Sequence, residues 1–400
     1  MEPAIEFLDV HFAYPNRPEA LAGVHVAIER GKKVAIVGPN GAGKTTLLLM
    51  CNGTLRPQKG EVRLFGSPLQ YDRKSLLEVR RRVGMVFQNS DAQLFAPTVY
   101  QDVAFGPMNL HMSPDRVREC VTDALYAVGL TGYERRPPHH LSGGEKKRVA
   151  IAGVLAMQPD ILIFDEPTGA LDPAGAAGMM DLLDELHARG TLIIISTHDV
   201  ELAYRWADEV ILMAEGDVLA RASPPIIFSD GDLLRHACLT MPKILELYNE
   251  LSLRDLIPNG TPPDGVLDMT HRIAEATGRP LNGRRGTIYL SDADHDTVEA
   301  IRRMVTASDV RYIGAMGTRA KRLCEEAGIA LDFTHDVIDR CLLKAILGQN
   351  TLIITSGGML SRVHERASAF SRESLLPVPV EPVRVQAGEE EKKGAPDGAK

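Results

Sequence analysis

The sequence predicts an α/β fold in two parts, a mainly parallel sheet with packed helices and then a smaller parallel α/β domain. Three observations carry this. The glycine-rich segment GPNGAGKT (38–45) lies between an apolar strand, KKVAIVG, and a helical stretch at 44–52. Two further apolar runs, DILIFDE (160–166) and TLIIIST (191–197), lack alternation, as befits strands covered on both faces. Beyond about residue 280 a new strand–helix alternation begins.

Taken in order, residues 5–37 read as three short strands, IEFLDVHFAY, GVHVAI and KKVAIVG, punctuated by Pro15, Pro18 and Gly31. Residues 113–130 form a helix with Ser113 at its cap and Pro114 in its first turn. LDPAGAAGMMDLLDELHARG is helical and joins DILIFDE to TLIIIST as a βαβ unit. Pro, Gly and Asn cluster at 257–285 around the helical segment DMTHRIAEAT, so 241–282 is expected to be a helical extension and linker. The second domain is expected at 283–375, with strands GTIYLS, VRYIGA, IALDF and NTLIITS. Its helices are DTVEAIRRMVTA, TRAKRLCEEAG and DVIDRCLLKAILG. The charged, small-residue tail at 376–400 is expected to be disordered.

Composition narrows the function. The apolar and charged fractions, 44% and 24%, are those of an ordinary globular chain. A net charge of −8 argues against nucleic acid as a partner. The short basic clusters Arg80-Arg81-Arg82 and Lys146-Lys147-Arg148 read as solvated helix faces. Five scattered cysteines without a CxxC pair fit a reducing compartment and neither a disulfide framework nor a zinc site. The N-terminus has no signal-peptide pattern, and no apolar run approaches the ~20 residues that span a bilayer. Any membrane role is therefore expected to come through a partner.

The chemistry concentrates in three segments. GPNGAGKT fits the P-loop pattern, and Gly38, Pro39, Asn40, Gly41, Ala42, Gly43, Lys44, Thr45 and Thr46 are the expected phosphate cradle. Glycines let the backbone curl toward phosphate, Lys44 reaches the β- and γ-phosphates, and the Thr45 hydroxyl can ligate Mg²⁺. ILIFDE ends in Asp165, placed to hold the metal, and Glu166, placed to polarise an attacking water as general base. LSGGE sets Ser142, Gly143, Gly144 and Glu145 at a helix head, where a hydroxyl, free N–H groups and the helix dipole suit a γ-phosphate.

Together these motifs resemble the ABC ATPase family over about residues 3–275. The resemblance implies a P-loop (RecA-like) cassette at 1–240 with antiparallel β and helical subdomains, using ATP and Mg²⁺. It implies that LSGGE reaches nucleotide held by a second ATPase subunit, and that Leu171 and Asp172 lie at that interface. Gln88 would contact metal and water and sense a membrane partner, so Thr45, Gln88 and Asp165 form the expected Mg²⁺ set. His198 would contact the γ-phosphate, and Tyr14 would stack on adenine.

Segments 88–107 and 137–157 look closely like the CbiO-like ATPases of cobalt/nickel energy-coupling-factor importers. This implies a homo- or heterodimer, transmembrane energy-coupling and substrate-binding subunits, no nucleic acid, and a peripheral position on the cytoplasmic side of the cell membrane. Uptake of cobalt or nickel is the implied task; a vitamin importer and a non-transport ABC ATPase are the alternatives. The single P-loop and the absence of a long heptad repeat weigh against the last. His139 and His140 fall within the family pattern and are read as loop packing. Leu94, Phe95 and Val99 are expected to offer apolar area to a membrane-partner helix, with Asp91 and Asp102 for its basic residues. Val99 and Phe105 are also candidates for plain packing.

The domain beyond 280 departs from the family pattern, and a regulatory role is expected for it. Ligands of parallel α/β sheets bind beyond the carboxyl ends of strands, here the loops 291–296, 314–319 and 356–359. Gly314, Gly317 and Arg319 are candidates for an anion. Asp292, Asp294, His295 and Asp296 are candidates for a divalent metal, though that loop reads first as a solvated turn.

Overall fold

The computed structural model describes residues 3–278, 285–307, 309–374 and 376–383. The chain divides into two compact units, Met1–Asn282 and Gly283–Lys400.

The first unit contains two sheets. Strands β1 (Ile5–Ala13), β2 (Glu19–Ile28), β4 (Lys59–Leu64) and β5 (Ser67–Pro68) form an antiparallel sheet in the order β2-β1-β4-β5. The second sheet runs β10-β9-β3-β8-β7-β6. Its strands are β3 (Lys33–Val37), β6 (Val83–Val86), β7 (Ile161–Asp165), β8 (Leu192–Thr197), β9 (Glu209–Ala214) and β10 (Asp217–Ala222). All pairs are parallel except β10 against β9.

Every residue of β3, β6, β7, β8 and β9 is buried, which is why these strands read as unbroken apolar runs. Val34, Ile36, Ile161 and Ile163 face a core shared with β1, β2 and the helix Lys44–Cys51. Ala35, Val37, Leu162 and Phe164 face the opposite core. That core includes Val103, Val121 and Ile151 of the helices Val99–Asn109, Pro114–Ala127 and Gly143–Leu155. In the extension, helices Lys243–Leu253 and Val266–Ala276 follow β10, and the Tyr204 hydroxyl donates to the Pro263 carbonyl at 2.6 Å.

The second unit is a parallel sheet ordered β12-β13-β11-β14. Its strands are β11 (Ile288–Asp292), β12 (Val310–Ala315), β13 (Asn350–Thr355) and β14 (Val380–Pro382). Helices Val298–Ala307, Thr318–Glu326, Val337–Ile346 and Met359–Ser374 alternate with them.

Two expectations are corrected here. IALDF makes no strand beyond an isolated Phe333–Gly314 bridge, because the Asp332 carboxylate accepts the Ile313 N–H (2.8 Å) that a ladder would use. The fourth strand is β14, which pairs with β11 and is followed by buried Val383, so order extends past 375. The rest of the expected tail, 384–400, lies outside the described residues.

Candidate active site

The carboxyl ends of four neighbouring strands, β3, β8, β7 and β6, deliver the segments singled out from the sequence: 38–46, His198, Asp165 with Glu166, and Gln88. This is the edge at which open α/β sheets bind ligands.

The turn after β3 can be made only by glycine at its ends. A Cβ on Gly38 would lie 2.2 Å from the Met213 carbonyl oxygen. Gly43, at φ 95°, caps the helix Lys44–Cys51, and its Cβ would meet the Ala20 carbonyl at 2.5 Å. No side chain caps this helix, so its first-turn N–H groups keep their affinity for an anion. Between the two glycines, Asn40 and Gly41 are exposed, Ala42 is buried, and the Ala42 N–H donates to the Pro39 carbonyl at 3.2 Å.

Lys44 Nζ donates to the carbonyls of Gly38 (2.6 Å) and Pro39 (3.0 Å). Burial lowers its pKa, and the nearby Glu166 and Asp165 charges oppose that shift. The Tyr14 hydroxyl lies 3.3 Å from Thr46 Oγ1, which sets that ring beside the cradle.

The Asp165 carboxylate is buried and doubly held. Thr45 Oγ1 donates to Oδ2 at 2.9 Å, and Ser196 Oγ donates to Oδ1 at 2.5 Å. Thr45 and Asp165 are thus within hydrogen-bond distance across 120 residues, a pair of hard oxygen donors that fits Mg²⁺.

Glu166 adopts φ 51°, in the left-handed region that costs a non-glycine residue strain. Its N–H is shared by Ser196 O (3.2 Å) and Oγ (3.1 Å). Its carbonyl accepts from Gly169 N (3.1 Å) and Lys147 Nζ (3.1 Å), and its carboxylate lies 2.9 Å from His198 Nδ1. The exposed Gln88 reaches the same turn: its Nε2 would be 3.7 Å from a Cβ on Gly169.

LSGGE heads the helix Gly143–Leu155 with a reciprocal capping box. Ser142 Oγ accepts from Glu145 N (3.3 Å), while Glu145 Oε2 accepts from Ser142 N (2.7 Å) and Oε1 from the Tyr133 hydroxyl (3.0 Å). The Glu145 carboxylate is thus engaged inside the chain, at the helix head where the sequence set it toward a γ-phosphate. Gly143 and Gly144 have nothing within 4 Å of a Cβ position, so no described neighbour requires glycine there. Asp172 caps the helix Pro173–Ala188 by accepting from Gly175 N at 2.6 Å.

Lys147, expected on a solvated face, is instead buried at 3% exposure. It shares a helix face with buried Ile151 and Val154, so the helical period was the better guide than the charge run. Ser196, also not singled out, is a fully buried polar residue in an apolar strand, which by itself signals a required partner.

In the segment after Gln88, Phe95 (65% exposed) and Phe105 (49%) pack edge to face with centroids 4.8 Å apart. Val99 is core, and Leu94 is partly buried against it. Asp102 is buried, and its Oδ1 accepts the N–H groups of Phe95 and Ala96 at 3.1 Å, which organises the turn, while its Oδ2 is buried without a hydrogen-bond partner. Asp91 pairs with Lys146 at 2.8 Å. His139 and His140 are both exposed, packed edge to face on each other.

In the second unit, Asp292 Oδ2 meets His295 Nδ1 (2.7 Å), Asp294 pairs with Arg319, and Asp296 accepts from Ser291 Oγ (2.9 Å) and Asp292 N (2.8 Å). Among the described residues no group of three or more His, Cys, Asp or Glu is disposed to hold a metal ion.

A phosphate cradle, a paired Thr–Asp and a carboxylate–histidine contact at adjoining strand ends define a P-loop ATPase. The ABC transporter family profile matches residues 21–169. The energy-coupling factor transporter ATP-binding protein EcfA2 of Methanospirillum hungatei is 50% identical over 383 residues, 95% of this chain and 96% of that one. The solved structure of cbiO1 from Clostridium perfringens, described as part of the ABC transporter complex cbiONQ, is 40% identical with a TM-score of 0.54. It covers 62% of this chain and 100% of its own. The cassette MJ0796, solved as a dimer in a post-hydrolysis state with ADP and Pi, is 29% identical with a TM-score of 0.50, over 55% of this chain and 98% of its own. The chain belongs to the ABC transporter family, as an ATP-hydrolysing subunit of the energy-coupling-factor type. No helix among the described residues is long and apolar enough to cross a membrane.

Proposed function

We propose that the chain works as a dimer with a second ATPase subunit, on the cytoplasmic side of the cell membrane, and energises uptake of a transition-metal ion such as cobalt or nickel. The observation that carries the catalytic part is the 2.9 Å contact between Glu166 and His198 beside the Thr45–Asp165 pair. Residues 38–46 wrap the phosphates, Lys44 neutralises the β- and γ-phosphates, and Tyr14 stacks on adenine. Thr45, Asp165 and Gln88 would hold Mg²⁺, which would supply positive charge to neutralise the phosphates. Glu166 takes the proton of the attacking water, and His198 orients that carboxylate and meets the γ-phosphate. Ser142, Gly143 and Gly144 of the second subunit close over the same phosphate, and Leu171 and Asp172 line that interface. The unfilled space at the two glycines supports this part.

Transmembrane energy-coupling and substrate-binding subunits complete the proposed complex. The exposed Phe95–Phe105 pair supports a docking surface for a helix of the membrane partner. The metal cargo is supported by the CbiO-like segments 88–107 and 137–157 and by the 40% identity with cbiO1. The second unit is read as regulatory.

The test is uptake of radiolabelled cobalt or nickel into proteoliposomes holding the chain with its membrane subunits. ATP-driven accumulation is expected, with Glu166→Gln binding ATP but losing turnover by about 100-fold or more. Phe95→Ala with Phe105→Ala should uncouple hydrolysis from uptake. Parental turnover in Glu166→Gln would remove the base, and accumulation of a vitamin but no metal would overturn the cargo.

A further inference from the structure

We propose that Lys147 is a positioning residue for ATP hydrolysis: from the helix Gly143–Leu155 it holds the main chain of Glu166 in the conformation that aims its carboxylate at His198. The inference rests on the reading of Glu166 as the base.

Lys147 is almost fully buried, and its Nζ donates to the Glu166 carbonyl at 3.1 Å. An ammonium is costly to bury unless it meets hydrogen-bond acceptors, so a lysine kept there answers to a specific partner. Burial lowers its pKa, against the opposing charges of Glu166 and Asp165. Glu166 in turn holds a left-handed backbone, φ 51°, which persists only where the surroundings over-determine it. That over-determination is visible. Ser196 takes the N–H on one side, while Gly169 N and Lys147 Nζ take the carbonyl on the other. Lys147 brings a side-chain donor to that carbonyl from an element remote from the strand.

The placement also links two events. Lys147 lies five residues after Ser142, roughly 7 Å along the helix axis. Whatever seats the helix head therefore seats the clamp on Glu166. The neighbouring Lys146 points elsewhere, to Asp91 at 2.8 Å. In the hydrolytic step, the water O–H bond breaks and its proton passes to the Glu166 carboxylate. The water oxygen bonds to the γ-phosphorus as the bridging P–O bond to ADP breaks. Lys147 exchanges no proton; it acts on the direction of the carboxylate.

The test uses the purified full chain. In Lys147→Met, the KM for ATP and the binding of a fluorescent ATP analogue should stay within about 2-fold of the parent. Its kcat should fall about 10- to 100-fold, the cost of a misplaced catalytic group. Lys147→Gln, which keeps an N–H donor, should recover part of the loss, and Lys146→Met should keep the parental kcat. In a Glu166→Gln background, Lys147→Met should add nothing, because both changes remove one function. Parental kcat in Lys147→Met, equal losses in the Met and Gln variants, loss of binding in step with kcat, or additive effects would each overturn the proposal. Should the Met variant not fold, Lys147→Leu, which also lacks a donor, decides: a lowered kcat at unchanged KM supports the clamp, and a parental kcat overturns it. Full turnover in Glu166→Gln would remove the base itself. Collapse there with parental Lys147→Met removes only the clamp.

Discussion

Ser196→Ala tests whether the acidic strand end is held by its neighbour. The hydroxyl is fully buried, donates to Asp165 Oδ1 at 2.5 Å and accepts from Glu166 N at 3.1 Å. Removing it takes from a buried carboxylate one charge-assisted hydrogen bond, a class worth about 1.5–3 kcal/mol. Asp165 keeps Thr45, and Glu166 N keeps the Ser196 carbonyl, so the second loss is smaller. The cavity left by one oxygen adds little. A total near 2 kcal/mol corresponds to a fall in Tm of roughly 4–8 °C for a unit of this size. Calorimetry of the full chain should register the fall in the transition that responds to added ATP. Turnover should drop with it, since Asp165 is less firmly aimed at Thr45. A variant melting within about 1 °C of the parent and hydrolysing ATP at its rate would refute the reasoning.

Three further outcomes are expected. Burial pushes the thiols of Cys51 and Cys341 up to about 12 and that of Cys324 to about 11, Cys120 is also buried, and Cys238 is exposed. An aromatic disulfide reagent should therefore find one fast thiol in the native chain, lost in Cys238→Ser; a second fast thiol would contradict the packing. The Ser142 N–H holds the Glu145 carboxyl below its ordinary range, so its stabilisation is present above the ordinary glutamate value and lost as pH falls through the depressed one. Urea midpoints of parent and Glu145→Gln should thus differ at neutral pH and converge in acid, and a constant gap would contradict this. A chain ending at residue 282 should hydrolyse ATP at the parental rate but lose a response to metal or metabolite. If it responds to every ligand as the full chain does, the second unit serves assembly or stability.

What the sequence made legible, and what it hid, follows from where each interaction keeps its residues. The phosphate cradle is contiguous: its glycines, Lys44 and Thr45 are set by one turn, so spacing alone announces it. Fully buried β3, β7 and β8 likewise announce themselves, because a strand covered on both faces has no polar side to alternate with. The contacts that tune the site are not contiguous. Ser196 meets Asp165 across 31 residues, and Lys147 meets Glu166 across 19. Charge was the misleading cue, since Lys146 and Lys147 are adjacent and chemically alike yet one pairs at the surface and the other is buried. Successive helix residues sit about 100° apart, so a basic run on a closely packed helix can turn one of its side chains inward, as Lys147 does. IALDF failed for a related reason: its apolar pattern suits a strand, but the Asp332 side chain competes for the N–H that pairing needs. VEP at β14, too short to draw notice, became the fourth strand because the edge of β11 offered it a ladder. Apolar periodicity thus says which segments can enter a sheet, while side chains that capture main-chain groups decide which of them do.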